Sequence, residues 1–237
     1  PGNMLGPLLF YQGAVRGGIK PNVGTEGNMA PADRRDRQAR GADKENAYHL
    51  LLLARDRTGY GNLLKLSSIA YREGFYYKPR IDKEVLREHA AGLICTSTCL
   101  GGEIPQALMR DDRCAAEEIA KVYLDIFGEE NFWIELQDHG LKEQKLTNPE
   151  LADIAKRLGI GIVATNDVHY LEEADVEAHD VLCCISTGAK LDEENRFKFP
   201  CGEFYMKTPE QMAALFANYP DAVAKTSRIA DLCNLEL

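Results

Sequence analysis

From residue 47 to residue 233 the chain alternates short apolar runs with segments of helical periodicity, and this alternation limits it to a layered α/β fold. "AYHLLLLA" (47–54), "GLICTST" (92–98), "NFWIELQ" (131–137) and "GIGIVATND" (159–167) have the length and content of buried strands. Helices are predicted in "GNLLKLSSIAY" (61–71), "DKEVLREHAAG" (82–92), "RCAAEEIAKVYLDIFG" (113–128), "NPELADIAKRLG" (148–159), "DVEAHDVLCCI" (175–185), "TPEQMAALFANYP" (208–220) and "DAVAKTSRIADLC" (221–233). Asp82 and Asn148 are cap residues, Pro149 suits a first turn, Gly92 and Gly159 suit helix ends, and Thr208 with Gln211 forms a capping box. The pattern predicts a parallel sheet, as a barrel or an open sheet. Residues 28–46 are polar and charged, and read as a mobile surface loop.

In such folds reactive groups gather where strands end, at the carboxyl edge of the sheet. Asp167 and His169 follow the last strand, Glu135, Asp138 and His139 end the one before, and Cys99 follows "LICTST". In an extended segment the D-x-H spacing points both groups to one side, where they could reach one ion. Each group also has a plainer reading: Asp167 and His169 as cap or solvated residues, and the "ELQDHG" residues as a loop network without chemistry. His89 and His179 lie in helical segments and read as ordinary solvated or capping residues; Cys183 and Cys184 read as small core residues.

A net charge of −9 argues against a protein that coats nucleic acid through Lys and Arg, although phosphate can still be held locally through metal ions. The seven cysteines are odd in number and form no CxxC pair, which fits a reducing cytoplasmic compartment better than a disulfide framework. No apolar run approaches the roughly 20 residues of a membrane helix, and the opening "PGNMLGPLLFYQG" lacks signal-peptide features.

Three stretches, "GFYYKPRIDKEVLREHAAGLICTSTCLGGEIPQAL", "ELQDHGLKEQ" and "VATNDVHYLEEADVEAHDVLCCISTGAKLDEENRFKF", closely resemble the PHP (polymerase and histidinol phosphatase) domains of bacterial replicative DNA polymerases. The opening "PGNMLGPLLFYQGAVRGGIKPNVGTE" is similar to the early part of the same family. The resemblance spans nearly the whole chain and implies a distorted β/α barrel with a metal cluster at the strand ends. Carried over residue by residue, the implied ligands are Glu26, His49, Cys99, Asp167 and His169, and Glu135, Asp138 and His139 become a supporting second layer. Imidazole, thiolate and carboxylate suit zinc or manganese, with magnesium implied for the parent polymerase.

The departures from the family pattern matter as much. The family opens on a strand with an H-x-H pair and an acidic ligand. A D-H-G-N motif then supplies a further His, and Pro1 stands at that position here. Nearly half of the family's ligand set is therefore missing or replaced. Gly27 and Asn28 are poor strand formers, so Glu26 is expected to be badly placed. The resemblance then implies a partial PHP domain over 1–237, a barrel incomplete for want of its first strands, with an open edge, uncovered apolar surface and marginal stability in isolation. Helices over 203–237 would lead toward an absent polymerase body. An intact cluster would hydrolyse phosphoesters, as a 3′–5′ exonuclease on DNA. Here the expectation is at most one weakly held ion on His49, Cys99, Asp167 and His169, and a fragment inactive alone. DNA and other replisome subunits are the implied partners, and no membrane. The alternatives are a freestanding phosphoesterase for a small phosphorylated metabolite and a non-catalytic scaffold.

Overall fold

Strand β2 (Tyr48–Ala54) shows how the sequence divides the molecule. Tyr48, Leu50, Leu52 and Ala54 are buried on one side, while His49, Leu51 and Leu53 are half-buried on the other. The first side joins the main core, under the helices; the second carries the polar groups considered below. The computed structural model describes residues 3–38 and 47–237. In chain order it comprises α1 (Pro7–Arg16), β1 (Gly24–Met29), β2, α2 (Arg57–Arg72), α3 (Lys83–Glu88), β3 (Leu93–Thr96), α4 (Glu103–Met109), α5 (Arg113–Phe127), β4 (Phe132–Gln137), α6 (Lys142–Leu158) and β5 (Gly161–Thr165). A 3-10 turn, Glu173–Asp175, then precedes α7 (Val176–Thr187), α8 (Pro209–Leu215) and α9 (Pro220–Leu232).

The strands form one sheet in the order β1-β2-β3-β4-β5. It is mixed rather than parallel: β1–β2 and β2–β3 are antiparallel, while β3–β4 and β4–β5 are parallel. Alternation of strands and helices predicts parallel pairing where a helix crosses over, as α4 and α5 do between β3 and β4. It fails between β2 and β3, which pair antiparallel although α2 and α3 separate them, and it carries no information about β1 and β2, which no helix separates among the described residues. Among the described residues the sheet is open, which is compatible with the incomplete barrel that the family resemblance implies.

Besides strand direction, two expectations are corrected. The segment Gly24–Met29 does form a strand despite Gly27 and Asn28, because it pairs along its whole length with β2, from Gly24 opposite Leu53 to Met29 opposite Tyr48. Helix α6 starts at Lys142, not at Asn148, and runs through Pro149. A Pro inside a helix removes one backbone hydrogen bond. Here side chains fasten the turns around it: Thr147 Oγ1 donates to Glu143 O, and Asn148 Nδ2 donates to Gln137 O instead of capping.

Near one end of the polar face the sheet is apolar. Ile94, Trp133 and Val163 pack against Ile229 and Cys233 of the C-terminal segment, with Leu53 alongside. Gly161 is required there, since a Cβ on it would lie 2.4 Å from the Trp133 ring.

The polar stretch over 28–46 is in part an anchored element. Residues 39–46 lie outside the described residues. Arg34, however, is only 5% exposed and donates to Glu73 at 2.7 Å, Asp82 at 3.0 Å and Glu84 at 3.0 Å. Burial opposes its charge, and these hydrogen bonds outweigh burial, so its pKa is raised. Burial would likewise raise Asp82, but the backbone amides of Arg34 and Val85 and the Arg34 guanidinium hold it below the usual carboxylate range.

Breaking a buried ion pair from one side typically costs 3–5 kcal/mol. Arg34→Met should therefore destabilise the chain by about 3 kcal/mol in urea melts. Because the folded Asp82 pKa is depressed, its contribution is present above pH about 4 and is lost as pH falls through the folded value. The variant should show a flatter loss of stability on the acid side than the parent chain.

Candidate metal centre

Glu26, His49 and Cys99 come from separate segments, and two features bring them together. The β1–β2 register sets Glu26 opposite Leu51, so Glu26 and His49 are diagonal neighbours on the same face, within reach of a long side chain. The loop after β3 is fastened to the start of β2 by His49 N donating to Gly101 O at 2.8 Å. Within that loop, Gly102 N donates to Cys99 O at 2.9 Å. Gly101 has no room for a side chain, since a Cβ would lie 2.9 Å from His49 Nδ1.

The result is a compact donor group. His49 Nδ1 lies 3.0 Å from Glu26 Oε1 and 3.4 Å from Cys99 Sγ. One ligand atom from each of the three residues lies within 4.8 Å of the others, and Asp167 and His169 fall outside this group. Around a tetrahedral zinc, bonds of about 2.0–2.3 Å give edges of roughly 3.4 Å between nitrogen and oxygen and 3.6 Å between nitrogen and sulfur. The donors thus need to part by a few tenths of an ångström to accept such an ion. Their chemistry fits a divalent metal.

Charge in the group is arranged around His49. Contact with Cys99 and then Glu26 pushes its pKa up to about 10, against burial. In return the hydrogen bond from His49 holds the Glu26 carboxyl below its ordinary range, although burial and Asp167 oppose this. An incoming cation must therefore displace the His49 proton.

Asp167 and His169 form a second, separate pair, with His169 Nε2 3.5 Å from Asp167 Oδ1. They face one another as the D-x-H spacing predicts, but for another reason. Asp167 has φ +44, a left-handed conformation uncommon for a residue with a Cβ, so the segment is not extended there. Burial would raise Asp167; the hydrogen bond from His169 and the nearby His139 and His49 outweigh it and depress its pKa. Asp167 and Cys99 line one cavity of about 370 Å³, so Asp167 borders the donor group. Of the five implied ligands, Glu26, His49 and Cys99 converge within 4.8 Å, while Asp167 and His169 lie outside that set, with Asp167 close enough to act on both Glu26 and His49.

The other singled-out residues lie behind these groups. Glu135 is buried, accepting from Thr165 Oγ1 at 2.5 Å, from Gln137 Nε2 at 2.8 Å and from Thr96 Oγ1. Burial pushes its pKa up despite these bonds. His139 donates from Nε2 to Asn166 O at 3.1 Å and accepts at Nδ1 from Gln144 Nε2 at 2.8 Å. Burial lowers its pKa, which keeps it neutral for that arrangement. It thereby fixes the residue before Asp167. Asp138 accepts from Gly140 N in a local turn. His179, which reads from its helix as ordinary, has its ring 5.5 Å from that of His169 and 4.8 Å from that of Phe199. Its position on the inner side of α7 was the available signal. Gly101 was missed because a glycine in a loop has many uses.

Two measurements check this geometry. Changes to residues that merely support a metal's ligands cost 10–100-fold in affinity. Cys99→Ser and His49→Ala should each weaken zinc binding by at least about 100-fold in competition with a chelating dye. Titration calorimetry at pH 8 in buffers of different ionisation enthalpy should show protons released as the ion binds, because His49 and Cys99 must both be deprotonated to ligate it.

A family model described as "PHP domain" matches residues 1–139, which contain Glu26, His49 and Cys99; Asp167 and His169 lie beyond it. The chain is 48% identical over 236 residues to a DNA polymerase III subunit alpha of Treponema pallidum, covering 100% of this chain and 20% of that protein. It is 48% identical over 240 residues to the subunit of the same name from Thermus aquaticus, with the same coverage. For Deinococcus radiodurans the identity is 47% over 241 residues, covering 100% of this chain and 18% of the relative. The chain thus spans about a fifth of the length of the curated relatives it matches. With more than half of its length matched by that model, the chain belongs to the PHP domain family.

Proposed function

We propose that this chain is the PHP module of a bacterial replicative DNA polymerase alpha subunit, and that its donor group holds a single divalent ion, zinc or manganese. The observation that carries the reading is the compact set of Glu26, His49 and Cys99, with Asp167 and His169 outside it. Full-chain similarity to polymerase subunits supports the polymerase context over a freestanding phosphoesterase. In that context the partners are DNA and the other replisome subunits, the parent enzyme uses magnesium, and the compartment is the cytoplasm. Among the described residues no helix is long and apolar enough to cross a membrane.

A bound ion would polarise a phosphoryl oxygen and acidify its water. Glu26, His49 and Cys99 would hold it, while His139, through Asn166, would keep Asp167 on the cavity wall. Efficient hydrolysis of a DNA 3′ end by this type of centre uses two ions about 3.5–4 Å apart. Three donors on one side and a separate Asp–His pair on the other favour one tight ion. The module's role is then chiefly to support the polymerase body, with impaired exonuclease chemistry.

Elemental mass spectrometry after exhaustive dialysis tests this. About one equivalent of zinc or manganese is expected, falling below about a tenth in Cys99→Ser. Two or three tightly held equivalents would contradict it.

A further inference from the structure

The loop between β3 and α4 carries Cys99, and its backbone is fastened on both sides of that residue. Before it, Ser97 N donates to Trp133 O at 3.0 Å, and Ser97 Oγ accepts from Glu135 N at 2.9 Å. After it, Gln106 Nε2 donates to Leu100 O at 2.9 Å, and Gly102 N donates to Cys99 O at 2.9 Å. His49 N, donating to Gly101 O, ties the same stretch to β2. The chain folds back tightly between these anchors: a Cβ on Gly102 would lie 2.3 Å from Ser97 O.

The loop holds two glycines, and neither takes its left-handed turn. Gly101 is needed against the His49 ring and Gly102 against Ser97 O, where a Cβ would collide. The left-handed residue is Thr98, with φ +56. Among the described residues, Tyr77, Asp111 and Asp167 are the other non-glycine residues of positive φ, and Thr98 alone of the four is β-branched. Branching at Cβ makes this conformation an outlier, which persists only where the surroundings over-determine it. Glycine would adopt it without strain. Threonine instead sets a methyl against the loop: Thr98 Cγ2 lies 3.1 Å from where a Cβ on Gly102 would stand. Thr98 is buried, and with Cys99 it borders a small recess shared with Glu135 and Gln137.

We propose that Thr98 is a positioning residue for the donor group, holding the Cys99 thiol at His49 before any ion arrives. With the branched side chain in place, the loop stays closed through the hydrogen bonds from His49 N and Gly102 N, and local strain is what this rigidity costs. Without it, the Gly101–Gly102 pair lets the loop open and Cys99 part from His49. Strain over-determined by its surroundings is a mark of sites preorganised for a ligand. The proposal rests on the reading of Glu26, His49 and Cys99 as a metal centre, and adds a residue outside the donor set that fixes its geometry.

Three readouts on Thr98→Gly test it. In the metal-free chain the urea midpoint should not fall, because relief of the left-handed strain offsets the greater freedom that glycine gives the unfolded chain. In the same metal-free chain, amide exchange followed by NMR should quicken about tenfold at His49 and Gly102, while the amides of β4 exchange no faster. Zinc affinity, measured against a chelating dye, should fall about tenfold. Thr98→Val keeps the branch and should match the parent chain in exchange and affinity. A threonine that served only the stability of the fold would lower midpoint, exchange protection and affinity together. That parallel loss, or unchanged exchange and affinity in Thr98→Gly, would overturn the proposal. Absence of zinc binding in the parent chain would remove the metal reading alone, and exchange in the metal-free chain would still decide the role of Thr98.

Discussion

In a parallel sheet, the side chains at one edge all come from strand carboxyl ends. β2 runs the other way, so its first residues, Tyr48 and His49, lie beside the carboxyl end of β3 and the loop that follows it. The hydrogen bond from His49 N to Gly101 O fixes that meeting, and the β1–β2 register then brings Glu26 alongside. A one-residue slip of β1 would turn Glu26 to the opposite face, among the helices. The donor group therefore depends on backbone pairing more than on any attraction among its own side chains, which as an acid, a base and a thiol gather without a large electrostatic penalty.

One face of the sheet has two unlike halves. At one end Ile94, Trp133 and Val163 are sealed by Ile229 and Cys233, and the close fit of Trp133 against Gly161 leaves little freedom. At the other end Thr96, Glu135, Gln137 and Thr165 form a buried hydrogen-bonded set beneath the cavity that Cys99 and Asp167 line. A buried carboxyl with three donors is a rigid, low-dielectric floor. The apolar half gives stability, and the polar half fixes the strand ends that carry the candidate ligands.

Much of this was legible in the residues. The apolar runs of β2, β3, β4 and β5, the caps at Asp82 and Thr208, and the placing of Cys99, Asp167 and His169 past strand ends follow from local pattern. Strand direction was not legible, because antiparallel pairing of β1, β2 and β3 is decided by long-range register. For the same reason the strand-end rule did not point to His49 at the beginning of its strand or to Glu26 within one; the family resemblance did. Glu26 was misjudged because strand propensity at Gly27 and Asn28 is a weak preference that a full ladder of partners overrides. Helix α6 escaped its Asn148–Pro149 signal because side-chain bonds to Glu143 and Gln137 hold the turns around the proline.

X-ray absorption at the zinc edge of the zinc-loaded chain tests the central claim most directly. If Glu26, His49 and Cys99 share one ion, the spectrum will contain one sulfur at about 2.3 Å and light atoms at about 2.0–2.1 Å, and the sulfur shell will vanish in Cys99→Ser. A spectrum of nitrogen and oxygen alone, unchanged by that substitution, would show that the three side chains converge without serving a common metal.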